Sequence, residues 1–239
     1  MFEINPNRKI SRLDIGDGNF CLIVDDFLLD PHAVVAFACE HVDEFDLQES
    51  GYPGILLNAN DKQLTDIYGF IRRTVSRELR FCRGGIKSST FFSMVTLPPE
   101  ELNWAQRMCH QDPRTEAGRA NIAGLVYLFE NVDLGGTGFY RFRNQETLEA
   151  ATAIGVSDPA AALAYLKKHV PMYREAPAYL TESCDVAELI TVISARFNRS
   201  IFYSGDIPHS AYISAPELLS DHIAIGRLTL NCFASVVPR

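Results

Sequence analysis

The spacing of apolar positions changes near residue 86, with helical periods before it and strand-like runs after it. Phe20 to Leu28 (FCLIVDDFL), rich in β-branched and aromatic residues, reads as a strand. Asp30-Pro31 supplies a cap followed by a proline at the first helical position, and Val34, Val35, Phe37 and Ala38 carry that helix toward Val42. The turn-rich stretch from Ser50 to Asn60 reads as a loop. Asp61 caps a second, longer helix, in which Leu64, Ile67, Ile71, Val75 and Leu79 recur at helical spacing until Gly84-Gly85 ends it.

Beyond residue 86 the strands dominate. Ser88 to Leu97 (SSTFFSMVTL) is a strong strand signal, and Pro98-Pro99 opens a short helical turn through Trp104. Further strands are predicted over Ile122 to Phe129 and Gly138 to Phe142. Ser157-Asp158-Pro159 then starts a capped helix (AAALAYLKK), read as an insertion over about 157–180. Strands resume at Glu188 to Ser194 and Ile201 to Ser204, and the turn-like link ARFNRS between them suggests a hairpin. Ile223 to Val237 is a long apolar strand. Helices first and strands after suit a single α+β domain over 1–239. In this reading 1–85 form a strand and supporting helices, and 86–239 form a β-sandwich or jelly-roll core.

Composition narrows the function classes. The chain has 239 residues, 47% hydrophobic and 22% charged, with a net charge of −8, as an ordinary soluble domain would. No basic run offsets that charge, which argues against nucleic acid and anionic membrane surfaces as partners. The first residues (MFEINPNRKISRLDIG) hold no apolar core of a signal peptide, and no apolar run approaches the length of a membrane span. Six scattered cysteines without a C-x-x-C pair fit reduced thiols, so the expected location is cytoplasmic.

The candidate chemistry begins at His-x-Asp. It occurs twice, at His41-Val42-Asp43 and His110-Gln111-Asp112, where composition alone predicts less than one copy. The first copy ends a predicted helix, on which residues two apart do not face each other. The second lies between a helical turn and a strand, and in an extended segment residues two apart share a face. His32, His41 and His169 read as helix residues and His222 as a solvated loop residue. His209 is different: it follows a strand and a Gly-Asp turn (IFYSGDIPHSAYI), with Pro208 restricting the approach, where a barrel strand would begin. Two histidines and one carboxylate, His110, Asp112 and His209, make a facial set suited to Fe(II) with positions left open. A structural zinc site would more often recruit cysteine, and Cys109 points away from His110 on an extended chain. Arg227 opens the last strand with Thr229 on the same face, and a guanidinium there needs an anion. Either a bound carboxylate in a bidentate grip or a salt bridge to an acidic side chain would satisfy it.

Taken together, His110-x-Asp112, then His209, then Arg227-x-Thr229 resembles the Fe(II)- and 2-oxoglutarate-dependent dioxygenases, most of all the prolyl-hydroxylase-like branch and a bacterial subgroup of it. GLVYLFENVDLGGTGFYR is similar to that branch's tyrosine-leucine strand and Gly-Gly turn, IFYSGDIPHSAY to the strand delivering its distal histidine, and GRLTLNCFASV to the strand carrying its cosubstrate arginine. DDFLLDPHAVVAFA resembles the strand and helix with which such domains begin. The likeness implies a double-stranded β-helix (jelly roll) with N-terminal supporting helices and a helical insertion. It implies Fe(II) on His110, Asp112 and His209, and 2-oxoglutarate with its distal carboxylate on Arg227 and Thr229. Tyr127 would add a phenol hydrogen bond. Its substrate would be a peptide side chain, an amino acid or a small metabolite, and the presence of Asp112 favours hydroxylation over halogenation. Tyr140, Arg141 and Arg143 follow the Gly-Gly turn, either meeting substrate or standing as exposed strand residues. Arg227 lies eighteen residues after His209, so the segment between them must loop out. A cupin-like isomerase or hydrolase would keep the metal ligands without a carboxylate site at Arg227, and a non-catalytic binding module would keep only the fold.

Overall fold

The last strand organises the molecule. In a computed structural model that describes residues 2–47, 51–59, 63–81, 87–113 and 118–237, β11 (Arg227–Val236) lies between β5 (Lys87–Val95) and β6 (Ala120–Tyr127), antiparallel to both. The expected Asp61 cap, the Gly84-Gly85 stop and the change of texture at residue 86 fall outside the described residues. Around β11 the sheet extends to eight antiparallel strands. Beyond β6 come β9 (Ser200–Ser204), β2 (Phe20–Asp25) and β1 (Lys9–Asp14); beyond β5 come β4 (Gly54–Asn58) and β3 (Asp46–Leu47).

One face of this sheet is hydrocarbon. Leu228, Leu230, Cys232, Ala234 and Val236 alternate along β11 and share a core cluster with Phe92, Met94 and Phe202. Burying each large side chain contributes about 1.5–3 kcal/mol relative to leaving it in water. The N-terminal helices close over that face. Helix α1 (Pro31–Glu40) starts where the Asp30 carboxylate accepts the Ala33 N–H at 2.9 Å, and it buries Val34 and Ala38. Helix α2 (Thr65–Phe70) runs through a wide π-helical turn, Ile71–Val75, into α3 (Ser76–Glu78). The Ser76 hydroxyl donates to the Ile71 carbonyl five residues back at 3.0 Å, satisfying an oxygen at that widened turn. Ile67, Ile71 and Val75 nevertheless keep one buried stripe.

A three-stranded antiparallel sheet, β10 (His209–Tyr212), β7 (Gly136–Phe142) and β8 (Ala187–Ser194), packs on the other face. Phe139 and Ile193 meet Tyr127 and Tyr203 there, with Phe139 edge-on to Tyr203 at 4.8 Å between ring centres. The side chain after Phe139, Tyr140, projects the opposite way. It packs with Leu166 and Tyr173 under helices α4 (Gln145–Gly155) and α5 (Pro159–His169).

Four expectations need correction. The stretch expected as a loop, Ser50 to Asn60, contains β4, held by pairing with β5 rather than by its own pattern. The insertion holds two helices, the first capped by Asn144 well before residue 157. The ARFNRS link is no hairpin, because β8 belongs to the small sheet and β9 to the large one. That link carries the chain across: Asn198, in a left-handed conformation at φ 62°, exchanges hydrogen bonds of 2.8 and 2.9 Å with the Leu28 backbone, and Arg199 pairs with Asp25 at 2.6 Å. Finally, the last strand starts at Arg227; the residues before it form a short 3-10 turn, Pro216–Leu218, and irregular chain, as the long spacing from His209 requires. No helix among the described residues is long and apolar enough to cross a membrane.

Candidate active site

Two extended segments meet between the sheets. His110 and His209 form an antiparallel bridge in which each backbone N–H reaches the other's carbonyl at 2.9 Å. Two residues on, the Asp112 N–H donates to the Gly205 carbonyl at 2.8 Å. The pleat therefore turns His110 and Asp112 to the same side, as the sequence spacing predicts. Glycine is needed at 205: a Cβ there would stand 2.8 Å from Asp112 Oδ2 and 3.0 Å from Asp112 Cβ.

Asp112 Oδ1 lies 3.8 Å from His110 Nε2 and 3.7 Å from His209 Nε2, and one ligand atom from each residue falls within 4.8 Å of the others. The His209 Nδ1–H donates to the Ile207 carbonyl at 2.8 Å, since a carbonyl can only accept; this fixes the tautomer that leaves Nε2 bearing a lone pair. The Tyr203 ring stands edge-on to His209 at 4.8 Å and limits its rotation. Burial pushes His209 down to about 4, so it is neutral at neutral pH. His110 stands in the mouth of the cavity with its side chain 59% exposed, and the walls and the second imidazole push its pKa down as well. Burial raises Asp112 to about 6, against the pull of His110, and Asp206 adds to the rise.

Asp112 Oδ2 is buried with no hydrogen-bond partner. Two neutral imidazole nitrogens and an under-satisfied carboxylate, converging on one point, are the donor set a divalent cation completes. The residues fit a metal. Cys109, behind His110, packs into the core beneath the helices with Met108 and Tyr140, as expected from the alternation. The remaining histidines stay apart: His32 lies against Phe197, His41 against Phe37 and His169 against Tyr165, while His222 is exposed.

From the metal-ligand cluster a cavity of about 120 Å³ runs toward the start of β11. Arg227, 3% exposed, donates through Nε to the Leu134 carbonyl at 3.0 Å and through Nη2 to the Gly136 carbonyl at 2.7 Å. The Gly-Gly turn offers these carbonyls because Gly135 sits at φ +91°, pressed against the Tyr212 carbonyl where any Cβ would collide. Among the described residues, Nη1 makes no hydrogen bond and no carboxylate pairs with Arg227, so the salt-bridge alternative is not realised there. The Thr229 hydroxyl bonds the Ser93 hydroxyl at 2.8 Å, and Asn231 donates to both.

The sequence profile of a family of unknown function, DUF6445, matches residues 6–234. The chain belongs to that family. No curated protein matches it. Among solved structures, it is similar to EvdO2 from Micromonospora carbonacea var. aurantiaca at 9% identity and a TM-score of 0.49, over 97% of this chain and 94% of that one. It is similar to SnoK, a non-heme alpha ketoglutarate dependent carbocyclase from nogalamycin biosynthesis, at 12% identity and a TM-score of 0.47, over 91% and 79%. A Pseudomonas putida prolyl-4-hydroxylase follows at 13% identity and a TM-score of 0.42, over 98% and 94%. At such low identity and overlap, residue roles in this DUF6445 member rest on its own geometry.

Of the six residues singled out from sequence, five border the cavity: His110, Asp112, His209, Arg227 and Thr229. Tyr127 lies one layer behind. It is fully buried, and its hydroxyl bonds at 2.8 Å to Thr137, whose side chain lines the cavity instead. Tyr140, Arg141 and Arg143 do not border it. Tyr140 is buried with its hydroxyl on the Leu180 carbonyl at 2.7 Å, and Arg141 is held by Asp17 at 2.6 Å and Glu188 at 3.1 Å.

Sequence reasoning missed Tyr52, whose buried hydroxyl lies beside Arg227 and close enough to the Ser93 and Thr229 hydroxyls for weak interaction, without a well-formed hydrogen bond. Burial raises its pKa, so the phenol stays protonated and able to donate. Ser210 borders the cavity as well, but its side chain alternates away from His209, and its hydroxyl lies by the Tyr140 phenol on the outer side of the small sheet. Asn231 could have been found by continuing the two-residue period from Thr229. Tyr52 could not, because only the pairing of β4 with β5 brings it to this wall.

Proposed function

We propose that this DUF6445 member is an Fe(II)- and 2-oxoglutarate-dependent oxygenase that hydroxylates a small molecule or a peptide side chain. The observation that carries the reading is one cavity with two unfilled ends. At one end is the His110, Asp112, His209 cluster; at the other is a buried Arg227 without a carboxylate partner among the described residues. In this reading the two facing sheets form a double-stranded β-helix, the jelly roll, within a single domain.

His110 Nε2, His209 Nε2 and the Asp112 carboxylate would hold Fe(II). Bound together, the metal and 2-oxoglutarate would activate dioxygen, the oxidant, so that one oxygen atom enters a substrate C–H bond and the other enters the succinate left when the cosubstrate loses CO2. The protein's own contribution is binding, orientation and exclusion of water. Arg227 and Thr229 take the distal carboxylate, with the Tyr52 hydroxyl as a third donor, and such charge-assisted bonds are the strong ones. Tyr127 acts through Thr137, fixing its hydroxyl at the wall. The Leu134 and Gly136 carbonyls hold the guanidinium in position before the cosubstrate arrives, so little order is lost on binding.

About 120 Å³ suits one small dicarboxylate and leaves no room for a large substrate. Substrate therefore approaches from the mouth, on the exposed side of His110. The arginine separates this reading from a cupin-like isomerase or hydrolase, which has no use for an anion site facing the metal.

The test is to add Fe(II) and then 2-oxoglutarate without oxygen and record the visible absorption, then admit air and assay succinate. A weak charge-transfer band that is lost in His110→Ala, followed by succinate, is the expected result. No band and no succinate would overturn the reading.

A further inference from the structure

The helical insertion builds a second pocket that the oxygenase reading does not use. It lies on the outer side of the small sheet, with a volume of about 450 Å³, between Arg107, Arg143, Tyr179 and the segment Thr181–Asp185. Tyr140, on the outward side of β7, donates its hydroxyl to the Leu180 carbonyl in the wall of this pocket, whereas Phe139, next to it, lies on the inner side across from His209 and packs on Tyr203. The two pockets are therefore separated by the sheet.

Arg107 forms the floor. It is 5% exposed, its guanidinium lies 4.8 Å over the Tyr173 ring, and Nη2 donates to the carbonyls of Met172 at 2.9 Å and Glu175 at 3.5 Å. Among the described residues, Nε is buried with no partner, Nη1 makes no hydrogen bond, and no carboxylate comes within ion-pair distance of this arginine. The Glu175 carboxylate is felt by this guanidinium but stands beyond ion-pair contact; a buried guanidinium so weakly compensated is costly, and its planar fork matches a carboxylate. Arg143 stands higher on the wall, half exposed, bound to the Cys184 carbonyl at 3.3 Å. The rim is of the other sign: Glu175, Glu182 and Asp185 are all exposed around the opening. A multiply charged anion would be repelled there, whereas a carboxylate trailing a cation meets attraction at both depths. The volume lies within the range of small-molecule sites, roughly 300–1,000 Å³.

We propose that this pocket binds a zwitterionic small molecule, its carboxylate on Arg107 and its cationic group among the rim carboxylates of Glu175, Glu182 and Asp185. The site is independent of the metal centre, and its test needs no turnover.

Titration calorimetry on the full chain with 6-aminohexanoate, hexanoate and hexylamine separates the two ends. The single tryptophan, Trp104, gives a second signal, since its carbonyl accepts the Tyr173 hydroxyl at 2.7 Å beneath Arg107. 6-Aminohexanoate is expected to bind tightest, hexanoate about tenfold more weakly and hexylamine not at all. Arg107→Met should lose at least about tenfold in affinity for 6-aminohexanoate, while Arg227→Met, in the other cavity, should keep it. Should Arg107→Met fail to fold, the exposed substitution Glu182→Gln, expected to bring 6-aminohexanoate toward hexanoate, decides together with the wild-type series. Equal affinity for hexylamine, unchanged binding in folded Arg107→Met, loss of binding in Arg227→Met, or no response to any of the three compounds would each overturn the proposal.

Discussion

On the helix side of β11, Leu228, Leu230, Cys232 and Ala234 are each at most 1% exposed and lie in a hydrocarbon core. On the other side, Arg227 and Thr229 are nearly as buried, at 3% and 2%, yet face a cavity. Depth does not distinguish the two faces; what the side chains meet does, hydrocarbon on one side and an open polar cavity on the other. The helix face is packed hydrocarbon, broken by the Thr90 hydroxyl beside the Cys232 thiol. The inner cavity keeps the Asp112 Oδ2 atom without a partner and the Tyr52 hydroxyl without a well-formed hydrogen bond. Each costs about 1–3 kcal/mol in the empty protein. A fold retains such atoms where a ligand completes them, so one strand carries stability on one face and binding on the other.

Asp112→Ala should break the comparison most severely. Metal affinity is expected to fall by more than about 100-fold, beyond the 10–100-fold typical of partners outside the ligand shell, and turnover should vanish. The metal-free protein should melt no lower than wild type, because the substitution removes a buried, incompletely bonded carboxylate. Calorimetric melting with and without metal checks both halves. A large loss of apo-stability would mean that Asp112 is a structural residue.

Leu230→Ala is the mirror experiment. It should cost about 2–5 kcal/mol in urea unfolding, the range for leucine truncation in a packed core, while metal affinity per folded molecule stays within about twofold. Wild-type protein carries a related signature: chelation should lower its melting midpoint, by an amount corresponding to about 2.7 kcal/mol if the metal had been present at 100 times its dissociation constant. Arg227→Met comes next. It should weaken 2-oxoglutarate roughly 10- to 100-fold, as for a lost charge-assisted bond, and leave Fe(II) affinity unchanged.

Much of this two-faced arrangement was legible in the chain itself. The alternation in RLTLNCFASV states which residues share a face, and the Gly-Asp-Ile-Pro turn before His209 marks where a strand resumes. Partnerships between distant segments were not legible. The ARFNRS link has the composition of a hairpin turn, but β9 is taken by β2 and β6, whose Gly124 leaves the space that the Phe202 ring fills. Helix α4 (QETLEAATAIG) buries only Ala151 among its residues, too thin a stripe to stand out in sequence. Tyr127 had the expected strand and phase, but a neighbour's hydroxyl, Thr137, stands between it and the cavity.

Tyr52→Phe is the smallest of these changes and the sharpest. The phenol oxygen is buried beside Arg227 and interacts only weakly with the Ser93 and Thr229 hydroxyls. Deleting it removes a poorly satisfied buried group, so the empty protein should be as stable as wild type or slightly more so. If the hydroxyl serves the cosubstrate, 2-oxoglutarate affinity should fall by about two- to tenfold, the worth of one ordinary hydrogen bond. Those effects have opposite signs, and a residue that merely fills space would move neither. Equilibrium unfolding of the apo-protein and anaerobic titration of 2-oxoglutarate measure them separately. Lower stability with unchanged affinity would assign Tyr52 to the packed core instead, and would move the boundary between the two faces one strand pair inward.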